Sequence, residues 1–277
     1  MGGEKKNMRI INEKEEKEIC KEYIQGLSMT NIAKMRHCSQ PRIKNILIKH
    51  NISLRKRKVN STLKENYFEV IDTPNKAYLL GLIFTDGSVT EESDKQNQLR
   101  LELKATDVEL LELYRTELGI SSKLTYSKRK NSESFLSSVR SNKIVKDLNK
   151  YGVVKNKTYI TDKLPIIKET LQKDFLRGLI DGDGSIYCSN DGNYRINFTS
   201  YSENICKDFI ELCKKITGVN TRTKPSRNGK AFRVTFSKKD LVKKLITLCY
   251  KDAEMYLPRK YMIATNIFEV KNEEDIV

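Results

Sequence analysis

Residues 78–89, YLLGLIFTDGSV, and residues 175–186, FLRGLIDGDGSI, decide how this chain folds. Each is an apolar run that reads Gly-Leu-Ile and closes on Asp-Gly-Ser, which puts Asp86 and Asp183 on what should be the last turn of a helix. A helix C-terminus carries partial negative charge, so a carboxylate there costs about 0.3–1 kcal/mol unless something positive joins it. The same cost is met twice, 97 positions apart. A pair of carboxylates placed this way needs a reason.

The spacing between the two stretches extends along the chain. Phe135 and Phe232 also lie 97 apart, and each is followed at equal distance by an apolar pair, Ile144–Val145 and Leu241–Val242. ELLELYRTELGI and DFIELCKKITGV match at an offset of 99, which implies a short insertion and a compensating deletion. Each copy reads as helix, strand pair, helix, strand pair, helix, so a duplicated α/β (α+β) unit with pseudo-twofold symmetry is expected.

Both motif helices carry small residues four apart, Gly81 with Thr85 and Gly178 with Gly182. That spacing lines one helical face with small side chains and lets two helices approach backbone to backbone. Packed so, their ends coincide and bring Asp86 beside Asp183. Gly87 and Gly184 are then expected as left-handed caps, and Thr73 before Pro74 starts the first helix. Two adjacent carboxylates at two negative helix ends cannot both ionise comfortably. A divalent cation of the Mg²⁺ type, Mg²⁺ or Mn²⁺, resolves the conflict, and such sites cleave phosphodiesters.

The strand patterns agree with a nucleic-acid substrate. QLRLELK alternates, with Leu99, Leu101 and Leu103 on one side and Gln98, Arg100, Glu102 and Lys104 on the other. YRINFTS places Ile196 and Phe198 inward and Arg195, Asn197 and Thr199 outward. The second strand pairs turn through SKRKNS, with Lys128 and Arg129, and SRNGK, with Arg227 and Lys230. A polar sheet face with a basic rim suits a groove of duplex DNA.

The 277 residues carry a net charge of +16, of which +9 falls on residues 1–66. Ten Lys/Arg and no acidic residue occur from Asn31 to Lys64, a block that is either a solvated tail or a polyanion contact and that favours nucleic acid where it overlaps an ordered motif. Residues 13–52 read as three short helices, the last of them inside this block: Ile19, Tyr23 and Ile24 share one face of the first, Ile32, Ala33 and Met35 fill the second, and Ile43, Ile46 and Leu47 the third. Ser28 and Ser39 are N-cap candidates, with Pro41 in the last helix's first turn. The stretch resembles the small helix-turn-helix domains of resolvases and transposases. By that resemblance the third helix enters the major groove with Gln40, Arg42, Lys44 and Asn45 near its start. SLRKRKVNSTLKEN, residues 53–66, follows as a basic linker whose Arg55, Lys56, Arg57 and Lys58 suit a phosphate backbone or minor groove.

Six cysteines form no CxxC pair and no zinc spacing, and the only histidines are His37 and His50. Reduced thiols are expected. MGGEKKNMRI carries no apolar signal region and no run approaches membrane-spanning length. A cytoplasmic, nucleoid-associated chain of phage, bacterial or organellar origin is the reading.

LLGLIFTDG (79–87) and LRGLIDGDG (176–184) resemble the two signature helices of the LAGLIDADG homing endonucleases, and the likeness extends over roughly residues 67–270. Leu80 and Arg177 replace the small second residue, Phe84 the sixth-position Asp and Thr85 the seventh-position small residue. The eighth position, where the family carries its metal-binding carboxylate, is intact as Asp86 and Asp183. The resemblance implies a double-motif monomer whose sheets sit in a major groove and whose acids cut both strands, leaving short 3′ overhangs. It also implies basic residues near the scissile phosphates, assigned by position to Lys104, Lys157 and Lys260. Arg259 and Tyr261 instead suit closure of the C-terminal helix on the core.

The domains are read as residues 1–52 helix-turn-helix, 53–66 linker, 67–162 first repeat and 163–277 second repeat. The function expected is a homing endonuclease cutting a long asymmetric double-stranded DNA target. A PD-(D/E)xK site, Asp86 with Glu102-Leu103-Lys104, finds no matching triad after Asp183 and leaves the duplication unexplained. A binding-only relative, a transcription regulator or a maturase acting on intron RNA, stays open.

Overall fold

Three capping residues set the helices of the N-terminal part. In the computed structural model, which describes residues 11–54, 62–92 and 95–268, the chain divides into two units, Met1–Val59 and Asn60–Val277. The first holds α1 (Glu13–Ile24), α2 (Met29–Met35) and α3 (Gln40–Lys49). Asn12 and Glu15 form a reciprocal capping box at α1, and Ser28 accepts from the Asn31 amide at α2. Ser39 caps α3 by position, with no side-chain bond to the helix, and Pro41 sits in the first turn. Ile19, Tyr23, Ile32, Ala33, Ile43, Ile46 and Leu47 make one small core. Ile24 and Met35 do not join it: they are 68% and 57% exposed. Each is the last residue of its helix, where the chain turns off and no facing helix covers it. Arg55, Lys56, Arg57 and Lys58 lie outside the described residues.

The second unit repeats one pattern. The first copy runs α4 (Pro74–Asp86), β1 (Gly87–Glu92), β2 (Lys95–Lys104), α5 (Val108–Leu118), β3 (Thr125–Arg129), β4 (Ser132–Arg140) and α6 (Asn142–Asn149), followed by the one-turn α7 (Lys157–Ile160). The second runs α8 (Gln172–Asp183), β5 (Gly184–Cys188), β6 (Tyr194–Ser200), α9 (Glu203–Thr217), β7 (Ser226–Asn228), β8 (Ala231–Phe236) and α10 (Lys239–Tyr250), followed by α11 (Pro258–Phe268). Each copy folds its strands into an antiparallel sheet, ordered β1-β2-β4-β3 and β5-β6-β8-β7. The αββαββα duplication expected from the 97-residue spacing is therefore the architecture. Leu99, Leu101, Leu103, Ile196 and Phe198 are buried, each contributing about 1.5–3 kcal/mol of apolar burial. Cys206 and Cys213 are buried on α9. One continuous core runs from Tyr67 to Ile267 and joins the copies.

The join is made by α4 against α8. A Cβ on Gly81 would fall 2.3 Å from Phe175 O, and one on Gly178 would fall 2.2 Å from Tyr78 O. Only glycine permits this backbone contact. The seventh motif positions interlock: a Cβ on Gly182 would fall 1.8 Å from Thr85 Oγ1, so Thr85 takes the room that Gly182 leaves. Thr85 Oγ1 is itself satisfied by the Gly81 and Leu82 carbonyls.

Gly87 and Gly184 are not left-handed caps. Their φ values are −74° and −95°, and the chain passes directly from helix into extended strand. Glycine is required there for another reason. A Cβ would meet Ile83 O at 2.6 Å in one copy and Ile180 O at 2.6 Å in the other.

Candidate active site

Because α4 and α8 touch at their glycines, they end together. Gly182 packs beside Asp86, with its Cβ direction 3.2 Å from Asp86 Oδ2, so Asp86 lies next to the turn that carries Asp183. Both carboxylates keep an open face to solvent. The surrounding protein nonetheless displaces much of the water that would stabilise their charge. That desolvation, followed by the charge of Asp183, pushes Asp86 up to about 6, against the pull of Lys260, Lys157 and Arg259. Asp183 is raised from the same primary cause, opposed by Lys157 and Lys260.

The positive charge that these helix ends need comes in part from the chain. Lys157 Nζ, on α7, donates to the carbonyls of Thr85 (2.9 Å) and Gly87. Lys260 Nζ, on α11, donates to Ile180 (2.6 Å), Asp181 (2.7 Å) and Gly184 (2.7 Å). A cation on the last carbonyls of a helix offsets its dipole. Burial lowers both ammonium groups, Lys260 to about 8. Lys157 also lines a cavity of ≈ 250 Å³ shared with Asp183, Thr85, Phe84 and Tyr201. Two of the three expected lysines are thus brought to the carboxylates. Lys104 is exposed at the end of β2, three residues past Leu101, which pairs with Gly87. That is roughly 10 Å along the strand from the helix end.

The sixth motif positions differ between copies. Asp181 is buried and accepts from Tyr78 Oη (2.8 Å), Tyr250 Oη (2.6 Å) and the Leu257 amide (2.8 Å), just before α11 begins. Its counterpart Phe84 packs edge-on against Phe175, the counterpart of Tyr78. Arg259 pairs with buried Asp107 at 3.3 Å, and Tyr261 stacks on Tyr256 at 3.9 Å, so both fasten α11. Arg177 at the second motif position is a buried strut, bonded to Met255 O, Cys249 O and Asp174.

The sheet residues sort by register. Gln98, Arg100 and Glu102 share the non-core face of β2 and are half-buried, with Glu102 accepting from Ser134 Oγ at 2.6 Å. Arg195, Asn197 and Thr199 do the same on β6, where Arg195 pairs with Asp191. Arg129 is exposed with this set, 3.4 Å from Glu102, and Lys230 is exposed in the β7–β8 turn. Arg227 is opposite Phe232 in the ladder, and its guanidinium lies over that ring on the side away from the polar face. Lys128 shares the parity of Tyr126, opposite Glu133, and pairs with it at 2.8 Å. A basic turn does not set strand parity, so these two stand away from the polar face on which Arg129 stands. Arg140 and Arg233, both exposed, stand on the polar faces opposite Gln98 and Thr199 and were missed. The alternation Phe232, Val234, Phe236 against Arg233 and Thr235 carries that signal. In the N-terminal unit Gln40, Lys44 and Asn45 are exposed on α3 and Arg42 is half-buried.

A family model described as a LAGLIDADG-like domain matches twice, over residues 73–151 and 170–248. Among solved structures, similar chains include I-SmaMI bound to an uncleaved DNA target in the presence of calcium ions, at 15% identity over 75% of this chain and 94% of that one, with a TM-score of 0.48. I-GzeII in complex with its DNA target is 14% identical over 72% and 90%, with a TM-score of 0.48. I-LtrWI bound to target DNA is 14% identical over 76% and 94%, with a TM-score of 0.45. No curated protein sequence matches the chain.

Proposed function

The chain belongs to the LAGLIDADG-like family, and from that premise we propose that it is a site-specific double-strand DNA endonuclease. It hydrolyses phosphodiester bonds in a long asymmetric target with divalent cations at Asp86 and Asp183. One observation carries the reading: two carboxylates meet at the ends of two helices in glycine-tight contact, with a lysine bonded to each end.

The residues suit a hard cation. Their donors are all oxygen, they are open on one side, and Asp86 is raised by desolvation and then by the Asp183 charge, both of which a cation offsets. No cluster of three or more His, Cys, Asp or Glu able to hold a metal occurs among the described residues. Mg²⁺ or Mn²⁺ takes one or two carboxylates and completes its shell with water and phosphate, which is what Asp86 and Asp183 offer. When bound, such an ion stabilises charge on the attacking and leaving oxygens of the phosphodiester. Asp86 and Asp183 hold and orient it, while Lys157 and Lys260 keep the helix ends positive toward phosphate.

Duplex recognition falls to the polar sheet faces, with Gln98, Arg100 and Glu102 on one and Arg195, Asn197 and Thr199 on the other. Their sequences differ, so the two half-sites they read differ. The N-terminal helices extend the footprint as a helix-turn-helix, with α3 presenting Gln40, Arg42, Lys44 and Asn45. Both carboxylates come from one chain, so a monomer suffices.

The test is a cleavage screen on a randomised duplex library with Mg²⁺, beside Asp86→Asn and Asp183→Asn. Discrete cuts with short 3′ overhangs, lost or reduced to nicking in the variants, support the reading. Tight selective binding without cuts sinks it and turns attention to intron RNA.

A further inference from the structure

An apolar patch stands at the rim of the cavity that Asp183 lines. Tyr159 and Ile160, in the one-turn α7, are 83% and 64% exposed, and Tyr201, one residue past β6, is 51% exposed. The rings of Tyr159 and Tyr201 lie 6.0 Å apart, tilted by 55°. Tyr201 also lines the ≈ 250 Å³ cavity together with Phe84, Lys157 and Asp183. Exposed apolar side chains scattered singly are ordinary, whereas a contiguous set at the mouth of a cavity marks an interaction surface. None of the side chains of α7 is buried, so core packing does not account for a tyrosine there.

The surrounding chemistry identifies what would cover the rings. They are set in a basic segment: residues 155–163, KNKTYITDK, carry Lys155, Lys157 and Lys163 against Asp162 alone. Thr158, Thr161, Thr199 and Ser200 add hydroxyls to the cavity wall. Lysines beside aromatic rings are what a nucleotide needs, the cations taking the phosphate and a ring taking the face of the base. A nucleotide whose phosphate enters this cavity carries its base one sugar away, where the rings stand. The other copy is built differently. Tyr201 stands three residues past Phe198, the ladder partner of Gly184, and Lys104 holds that place three residues past Leu101, the partner of Gly87.

We infer that Tyr159, backed by Tyr201, stacks on one nucleobase of the bound duplex, in the half of the target nearest Asp183. This makes that base pair a specificity position outside the two sheets. The inference rests on the duplex-binding part of the reading above and not on cleavage. A ring reaches a base face in a duplex only where the step is partly unstacked, and pyrimidine–purine steps unstack most easily. Selected targets should therefore carry a TA or CA/TG step at this position.

The experiment uses the full chain and duplexes selected from a randomised library by binding in Ca²⁺, so the outcome does not depend on whether the duplex is cut. Tyr159→Ala should weaken binding about five- to 150-fold, the loss of one base–aromatic stack. Tyr159→Phe should bind close to wild type, and the melting of the free protein should not change in either variant. Wild type and Tyr159→Ala are then titrated against duplexes in which a single abasic nucleotide is moved along the site. At one position the two proteins should bind alike, because the base that Tyr159 stacks on is gone. Tyr159→Ala binding as tightly as wild type overturns the inference. So does Tyr159→Phe binding as weakly as Tyr159→Ala, which assigns the contact to the hydroxyl. A difference that persists at every abasic position assigns it to the sugar–phosphate backbone and overturns the inference as well. Wild type that selects no duplex is a separate outcome and overturns the duplex reading together with the inference.

Discussion

Gly178→Ala tests the helix contact on which the site depends. The added methyl would stand 2.2 Å from Tyr78 O, 2.8 Å from Leu82 N and 2.9 Å from Gly81 Cα. All three are backbone atoms inside α4, so no side chain can swing aside, and the helices must separate by about 1 Å to restore ordinary contact. Overpacking of this kind costs about 1–3 kcal/mol. Alanine gains back about 1 kcal/mol in helix propensity over glycine. With every contact atom on the backbone, the upper part of the range applies, leaving roughly 2 kcal/mol of net destabilisation. For a unit of this size that lowers the melting temperature by about 4–8 °C. The same separation displaces Asp86 from Asp183, and a 1 Å misplacement of reacting groups costs about a hundredfold in rate. Thermal melting and single-turnover cleavage are measured side by side, with Gly218→Ala as control. Gly218 caps α9 at φ +66° with nothing within 4 Å, so alanine there strains only the backbone. It should cost about 1–2 kcal/mol and leave cleavage unchanged. A Gly178→Ala protein that melts at or above wild type would refute the reasoning, since propensity alone gives that sign.

Arg177→Met leaves Asp174 buried and unpaired and should cost about 3–5 kcal/mol by thermal melting. Ala77 and Leu80 occupy the equivalent positions in the first copy, so Asp174→Ala with Arg177→Leu should recover part of that loss; a double variant worse than the single speaks against the ion pair. Asp181→Asn keeps the shape but weakens bonds to Tyr78, Tyr250 and Leu257, at about 1.5–3 kcal/mol, and hydrogen exchange should quicken in α11 before the rest of the core. Binding to the selected duplex should fall with salt at a log–log slope near −0.9 per neutralised phosphate, and a nearly flat slope counts against a broad basic interface. In the N-terminal unit, hydrogen bonds from Lys49 and then His50 hold Glu16 below the usual carboxylate range. Its lowered value makes it stabilising above the unfolded pKa of about 4.3, with that contribution lost as pH falls through the folded value. Exchange protection of α1 should show this acid loss in wild type and not in Glu16→Gln.

Much of the fold was legible because its signals are local. Leu99, Leu101 and Leu103 alternate whatever surrounds them, and that period assigns their strand and its buried face. Thr73 and Ser28 name helix starts by the hydrogen bond that a short hydroxyl makes to a nearby amide. The repeat spacing then doubles each of these observations. Gly87 and Gly184 were legible as glycines but not in their conformation, because the close approach of Ile83 and Ile180 carbonyls exists only once the chain has turned.

The sequence by itself determined the duplicated αββαββα unit, the three N-terminal helices and the pairing of Asp86 with Asp183. Periodicity and capping act within a few residues, and the small-residue spacing on each motif helix marks the face that meets the other. Tertiary structure alone decided which charges reach the carboxylates. Lys157 and Lys260 arrive from segments more than 70 residues away in sequence, while Lys104 on the adjoining strand stays at the strand end. The same packing gives Lys260 three carbonyl acceptors and Lys157 two, and it seats Arg227 over Phe232. Such outcomes depend on where distant chain segments close onto one another, and hydrogen-bond capacity is counted only after they have met.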